Sequence, residues 1–324
     1  MPEKRLIRAT LGAAALSAGL VLLGGMLPAA AGFCAVCWMI PLALLIAREG
    51  EVWGLGATAA VLVWIVSSPG TAPWGLLLPY GGAGIWYGIS LRRSWKPGLG
   101  VGGGLLIALL SMFGLLALSF GSYAQFLSET ARLMEQGIME AAAFYQQTGM
   151  WEQLAAQGVS EAEFQQQMLQ AADTIARIYP ALLGWGAMIG AALTCLLIYL
   201  LAPRLGIIRE RWPGFSSWQL PWHLTWVVIL GLGGYLAGDY WGRPELSLLG
   251  SNLLVLLAPL ILIGGIALAT WFFRRSRAPV LIKLGLAIVA GVFFQYTMLL
   301  FMGLGLFDPL INYRKRALEK GGAE

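Results

Sequence analysis

Long apolar stretches recur along this chain, separated by short polar or basic connections. A helix of about 20 apolar residues crosses the ~30 Å hydrocarbon core of a bilayer. The pattern therefore predicts a series of membrane-spanning helices rather than alternating strands. Eight predicted spans lie near residues 9–31, 33–47, 52–66, 74–91, 99–120, 180–201, 224–240 and 246–273.

A ninth apolar region, 279–311, is longer than one ~20-residue span requires. Gly291 and the polar residues Gln295 and Tyr296 lie near its middle. A single tilted span and a hairpin of two short segments both fit this pattern. We favour the hairpin, which places the basic residues 314–316 in the cytoplasm. The predicted fold is an all-α integral membrane protein, a bundle of about eight to ten transmembrane segments.

The segment 121–178 interrupts this pattern because it is polar and rich in Gln, Glu and Ala. Its apolar residues recur at helical spacing, which predicts amphipathic helices. Ser160 and Glu163 have the spacing of a capping box at the start of the second helix. The segment is predicted to be a helical hairpin outside the bilayer or lying on it.

Composition and charge support membrane embedding. Only 11% of the 324 residues are charged and 58% are hydrophobic, whereas soluble domains carry about 25% charged residues. The net charge of +5 resides in clusters at span ends, which fits the positive-inside rule and argues against nucleic-acid binding. The basic connections alternate along the chain. They predict a bacterial cytoplasmic (inner) membrane protein with a cytoplasmic N-terminus, an extracytoplasmic hairpin and the lipid bilayer as partner.

No catalytic chemistry can be assembled from the sequence. P-loop, HExxH and GxSxG motifs are absent. Cys34 and Cys37 form a CxxC pair, but their apolar neighbours do not favour a thiolate. A metal site would need further ligands, and the chain has one histidine, His223, and one other cysteine, Cys195. The predicted protein is non-catalytic, with no cofactor and no metal.

Polar residues and helix breakers at membrane depth indicate where a ligand could bind. Such residues are costly unless they face protein or water, and interrupted helices often line cavities in transporters. Five candidate ligand-lining residues follow from this reasoning: Trp74, Pro79, Tyr80, Trp86 and Asn252. The alternative is a dry, glycine-packed bundle in which Tyr80 bonds a neighbouring helix.

Two motifs in the second half suggest a family. They are Phe215-Ser-Ser-Trp-Gln-Leu-Pro-Trp222 and Leu304-Gly-Leu-Phe-Asp-Pro-Leu-Ile-Asn-Tyr-Arg314. Together with Asn252 they resemble the YybS-like family of multi-pass bacterial membrane proteins, a domain family of unknown function. An acidic residue commonly precedes the arginine in that family, whereas this chain has Asn312 two positions before Arg314.

That family is distantly similar to the substrate-binding S-components of energy-coupling-factor transporters, which have six helices and both ends in the cytoplasm. The resemblance implies a six-span bundle at 1–202 that includes the hairpin, a cytoplasmic loop at 203–223 and C-terminal spans at 224–324. S-components dock their coupling subunit through AxxxA patterns, which Ala9 to Ala13 and Ala14 to Ala18 match.

The resemblance also implies a function. The leading hypothesis is a transport-related substrate-binding or permease-like subunit for a small molecule, partnered by energy-coupling-factor-type subunits. The alternative is a membrane scaffold or assembly protein that recruits partners through its hairpin or cytoplasmic loops.

Overall fold

The structure is a computed structural model that describes residues 2–67, 74–149, 160–207 and 213–321. Its regular secondary structure is helical throughout, and these residues contain no strand. The predicted all-α class is therefore confirmed. The helices are α1 Pro2–Met26, α2 Ala31–Cys37, α3 Ile40–Glu49, α4 Glu51–Ser67, α5 Trp74–Arg92, α6 Pro97–Phe120, α7 Tyr123–Gln147, α8 Glu161–Leu201, α9 His223–Tyr240, α10 Pro244–Arg275, α11 Val280–Val292, α12 Phe294–Ile311 and α13 Tyr313–Gly321, with 3-10 turns at Pro28–Ala30 and Phe215–Ser217.

Within the described residues, six stretches of helix are long and apolar enough to cross a membrane. They are Glu3–Met26, Pro28–Glu49, Pro97–Phe120, Glu163–Leu201, Pro244–Arg275 and Phe294–Ile311. Two shorter apolar helices, α4 and α11, accompany them. The chain is thus a membrane protein with several apolar helices, while the count of eight to ten crossings stays a prediction.

The predicted span 33–47 is divided in the structure. Helix α2 ends at Cys37 and α3 begins at Ile40. Pro41 occupies the first turn of α3, where its missing N–H leaves no helical bond unmade. Hydropathy alone could not predict this division. It does not show that Pro41 lacks the backbone N–H with which a residue continues a preceding helix.

The second helix of the predicted hairpin and the predicted sixth span are joined in the structure. The capping box is confirmed, since Ser160 N–H donates to Glu163 Oε2 and Glu163 N–H donates to Ser160 Oγ, both at 3.3 Å. From there α8 continues without interruption to Leu201, with Pro180 inside it. The second hairpin helix and the sixth span are therefore one helix.

The chain divides into two compact units. Unit 1 comprises residues 1–129 and 183–212 and contains α1 to α6 with the C-terminal part of α8. One part of its core surrounds Tyr87, and another surrounds Trp38 and Leu42. Ala9, Ala13 and Ala14 of α1 pack against this second cluster. This alanine face is therefore partly covered by unit 1 itself.

Unit 2 comprises residues 130–182 and 213–324. Gly238 of α9 lies against Ser247 of α10, and Gly231 lies against Leu254, so the two helices run antiparallel. Helix α12 crosses α10 at Gly305, whose backbone contacts the residues around Ile261. Helix α11 has no buried residue.

Candidate functional site

Helix α5 carries most of the predicted ligand-lining residues. Pro79 is fully buried inside the helix. Tyr80 is half-buried; its ring lies against Gly190, and its hydroxyl donates to the carbonyl of Gly186 over 3.3 Å. That distance is long for an O–H···O bond, which is usually 2.7–2.8 Å. Trp74 begins the helix, but its side chain lies outside the described residues.

Trp86 is held by a different helix from the one that holds Tyr80. Its indole N–H donates to the carbonyl of Gly100 at 3.0 Å, and its ring lies against Gly103 of α6. The ring also packs on Trp95, with centroids 4.9 Å apart. Within unit 1, Tyr80 therefore packs towards α8 and Trp86 towards α6. Their role in binding a ligand stays a prediction.

A further tyrosine, Tyr87, was not among the predicted residues. It lies seven residues after Tyr80, which places both side chains on one face of α5. Tyr87 is fully buried, and its hydroxyl lies beside the thiol of Cys195 on α8. No hydrogen-bond partner of good geometry is found for this hydroxyl among the described residues. The seven-residue spacing of two tyrosines on an apolar helix was the signal that could have revealed it.

We use the name tyrosine seam for Tyr80 and Tyr87 of α5 together with the facing residues Gly186, Gly190 and Cys195 of α8. Both sides of the seam belong to unit 1. The Tyr80 ring lies directly over Gly190, where a side chain would otherwise be, whereas a Cβ atom added at Gly186 would meet nothing within 4 Å. The seam combines flat aromatic surfaces with two hydroxyl groups, a combination suited to a small molecule that has both apolar and polar atoms.

Asn252, the remaining predicted residue, lies in unit 2 and bridges the proline kink of α8. A proline inside a helix removes one bond and loosens the neighbouring turn. Asn252 donates to the carbonyl of Arg177 (2.7 Å) and accepts from the amide of Ala181 (3.1 Å). These two backbone groups would bond each other in a regular helix. The second amide proton of Asn252 donates to the carbonyl of Leu248. Both amide protons of Asn252 thus donate hydrogen bonds, which favours a structural role for this side chain. Its contact with a ligand stays a prediction.

We expect Asn252→Leu to destabilise the protein because it leaves backbone groups of the kink without their side-chain partner, at a cost of about 1–3 kcal/mol. In a Pro180→Ala background a regular helical bond can form, so the same replacement should cost clearly less. Thermal unfolding of the four proteins in detergent measures this coupling. Equal costs in both backgrounds would show that Asn252 does not act on the kink.

The two motifs that carry the family resemblance meet in unit 2. Arg314 donates to the carbonyls of Ser216 (2.9 Å) and Trp218 (2.6 Å), and its Nε lies 3.5 Å from Asp308 Oδ2. Asp308 and Arg314 are only 3% and 9% exposed. The sequence indicated each motif but not their contact, because about 90 residues separate them.

The CxxC pair lies inside the protein rather than against lipid. Cys34 and Cys37 are both buried, and neither forms a disulfide. Within the described residues, no group of three or more His, Cys, Asp or Glu side chains is placed to hold a metal ion.

Comparison with known proteins gives one family. Residues 15–309 match the model of the family described as "Predicted membrane protein (DUF2232)". This match covers the first motif and residues 304–309 of the second, and it agrees with the resemblance that the motifs carry. No curated protein and no solved structure matches the chain.

Proposed function

The chain belongs to this family of membrane proteins, and we propose that it is a non-catalytic, transport-related subunit that binds a small molecule in unit 1. The proposed binding site is the tyrosine seam between α5 and α8. The predicted site included Pro79 and Tyr80 of α5. The proposed site adds Tyr87, which lies on the same face of that helix as Tyr80.

One observation carries this proposal: among the described residues, the buried hydroxyl of Tyr87 meets the thiol of Cys195, a weak hydrogen-bonding group, and no stronger partner lies within hydrogen-bond distance. A buried polar group without a partner costs about 1–3 kcal/mol, and such groups in native proteins usually find an ordered water or a ligand. Tyr80, on the same face, holds its single carbonyl partner over a long distance. A ligand with hydrogen-bond acceptors could engage both hydroxyls and pack on both rings. This chemistry fits a small heterocycle.

We further propose the orientation that the basic connections favour. The N-terminus lies in the cytoplasm, the 121–178 hairpin lies outside, and the membrane is the bacterial cytoplasmic membrane. In this arrangement residues 1–202 form the six-span, S-component-like part of the chain. An energy-coupling-factor-type partner would dock on a face of unit 1 other than the one that carries Ala9, Ala13 and Ala14, because these residues pack on the core.

The test is untargeted mass spectrometry of small molecules that co-purify with the protein in mild detergent. We expect one compound to be retained by the wild type and its amount to fall about tenfold in Tyr87→Phe, as the loss of one good hydrogen bond predicts. Tyr80→Ala should also lose the compound. Tyr235→Ala is the control because Tyr235 is an exposed tyrosine of α9 in unit 2.

Tyr87→Phe separates binding from folding. Removing a buried hydroxyl whose neighbour is a weakly bonding thiol should change the stability of the ligand-free protein little, because little hydrogen bonding is lost. The proposal fails if no small molecule is retained, or if Tyr87→Phe retains as much as the wild type.

The scaffold hypothesis is favoured by a different observation. On α7, the apolar side chains of Leu133, Met139 and Phe144 are 55–62% exposed. Exposed apolar residues on an amphipathic helix suit a partner protein or a membrane surface. A photo-crosslinker at Met139 that captures one protein, when the same group at the exposed Glu135 captures none, would favour the scaffold.

A further inference from the structure

Four cationic residues come together where α10 ends and α11 begins. Arg274 and Arg275 are the last two residues of α10, and Arg277 follows in the connection. All three are exposed. Lys283 lies on α11, and its ammonium group donates to the carbonyl of Ser276 at 2.9 Å. We use the name basic turn for the three arginines and this lysine.

Hydrogen bonds of Ser276 hold the connection in a defined shape. Its N–H donates to the carbonyl of Phe272 at 2.9 Å, and its hydroxyl accepts from the amide of Ala278 at 3.1 Å. Its carbonyl accepts from Lys283. A lysine on an apolar helix commonly extends its long side chain towards the membrane edge. Because Ser276 lies between two of the arginines in the chain, this bond brings the Lys283 charge to theirs.

The charges of the basic turn are not neutralised within the part of the chain that the structure describes. None of the four residues forms a salt bridge to a described residue. The sequence contains no Asp or Glu between Glu245 and Asp308. The Arg275 guanidinium lies over the ring of Trp271 at 5.7 Å, a contact that leaves its charge in place. The basic turn therefore attracts an anion from outside the chain.

Exposed apolar residues lie on both sides of the basic turn. Phe272 and Phe273 precede it with 42% and 39% of their surface exposed. Val280 and Leu281 follow it within α11 and are 79% and 81% exposed. A soluble anion would leave these surfaces in water, whereas acyl chains would cover them. Cations next to exposed apolar side chains suit a molecule with a negative headgroup and a hydrocarbon tail.

We propose that the basic turn binds the phosphate headgroup of an anionic phospholipid. The planar guanidinium groups of the arginines match the oxygens of a phosphate. The N-terminus of α11 lies at the same place and adds the partial positive charge of its helix dipole. In the proposed orientation the turn lies at the cytoplasmic leaflet, whose anionic lipids attract basic segments. The acyl chains would then cover the start of α11, which has no buried residue.

Native mass spectrometry of the detergent-purified protein, titrated with phosphatidylglycerol or phosphatidylcholine, tests the proposal. We expect phosphatidylglycerol to bind more tightly, and high salt should weaken this preference because exposed charges are screened. Arg274→Gln together with Arg277→Gln should weaken phosphatidylglycerol binding about tenfold or more, since each cation near an anionic headgroup contributes about fivefold. Lys315→Gln together with Arg316→Gln is the matched control. It removes two exposed charges from α13 of the same unit and should change the binding little.

Two further changes separate the effect of charge from an effect on folding. Lys283→Met leaves α11 apolar and should not impair insertion, yet we expect it to weaken phosphatidylglycerol binding about fivefold. Arg274→Lys together with Arg277→Lys keeps both charges and should retain most of the binding. The proposal is overturned if the wild type binds the two lipids equally, or if both double glutamine variants weaken binding to the same extent. It is also overturned if inorganic phosphate or polyglutamate displaces phosphatidylglycerol, because the turn would then suit a soluble anion.

Discussion

Replacing Gly305 by alanine is expected to destabilise unit 2, whereas the same replacement at Gly303 should leave its stability unchanged or raise it. A Cβ atom at position 305 would collide with the carbonyl oxygen of Ile261 and lie 2.7 Å from the amide nitrogen of Gly265. Both obstacles are backbone atoms of α10, which cannot rotate away. A Cβ at position 303 meets no atom within 4 Å.

The two replacements have the same chemistry and differ only in their surroundings. In a helix interior alanine is favoured over glycine by up to about 1 kcal/mol. At Gly305 this gain is outweighed because α10 and α12 must separate, and overpacking of this kind costs about 1–3 kcal/mol. Such close packing of glycine backbones is a common way to associate helices in a bilayer.

Thermal unfolding in detergent, followed by tryptophan fluorescence, measures the difference. We expect a lower midpoint for Gly305→Ala than for the wild type and an equal or higher midpoint for Gly303→Ala. Similar midpoints for the two variants would mean that α12 does not cross α10 at this point.

The elements of the fold that local sequence determines could be predicted. The helix Pro97–Phe120 agrees closely with the predicted span 99–120, because an uninterrupted apolar run is a local signal. The capping box at Ser160 was predicted for the same reason, since its hydrogen bonds join residues three positions apart.

The elements that depend on distant residues could not be predicted in this way. The sequence predicted a span beginning near Pro180 but not that α8 runs through this residue, where Asn252, about 70 residues away, bonds the neighbouring turn. Tyr80 and Trp86 share a helix, but their directions follow from glycines on α8 and α6. The surroundings of the Tyr87 hydroxyl likewise depend on a residue of another helix, Cys195 of α8.

The contact between the two family motifs leads to the prediction with the largest expected effect. Arg314→Met should strongly destabilise the protein, because it leaves the buried Asp308 carboxylate without its cation. The carbonyls of Ser216 and Trp218 lose their donors at the same time. Removing one partner of a buried ion pair typically costs about 3–5 kcal/mol.

Backbone geometry explains why arginine is required at this position. Asn312 adopts a left-handed conformation (φ 51°, ψ 61°) that ends α12 and turns the chain back. Its side chain then accepts from the amide of Lys315 at the start of α13. This turn brings Arg314 to Asp308 and to two carbonyls that a planar guanidinium can engage together. Arg314→Lys keeps the charge but lacks the fork, and should be intermediate in stability.

Two further variants distinguish the loss of the buried Asp308–Arg314 pair from the loss of a positive charge as such. Arg316→Met removes the same charge from an exposed position of α13, and we expect it to leave the unfolding midpoint nearly unchanged. Asp308→Asn added to Arg314→Met removes the stranded carboxylate, and it should recover part of the lost stability, because the uncompensated charge is the costly element. If Arg314→Met unfolds at the same temperature as Arg316→Met, or if Asp308→Asn lowers the stability of Arg314→Met further, the tail is not held to residues 216–218 by this pair.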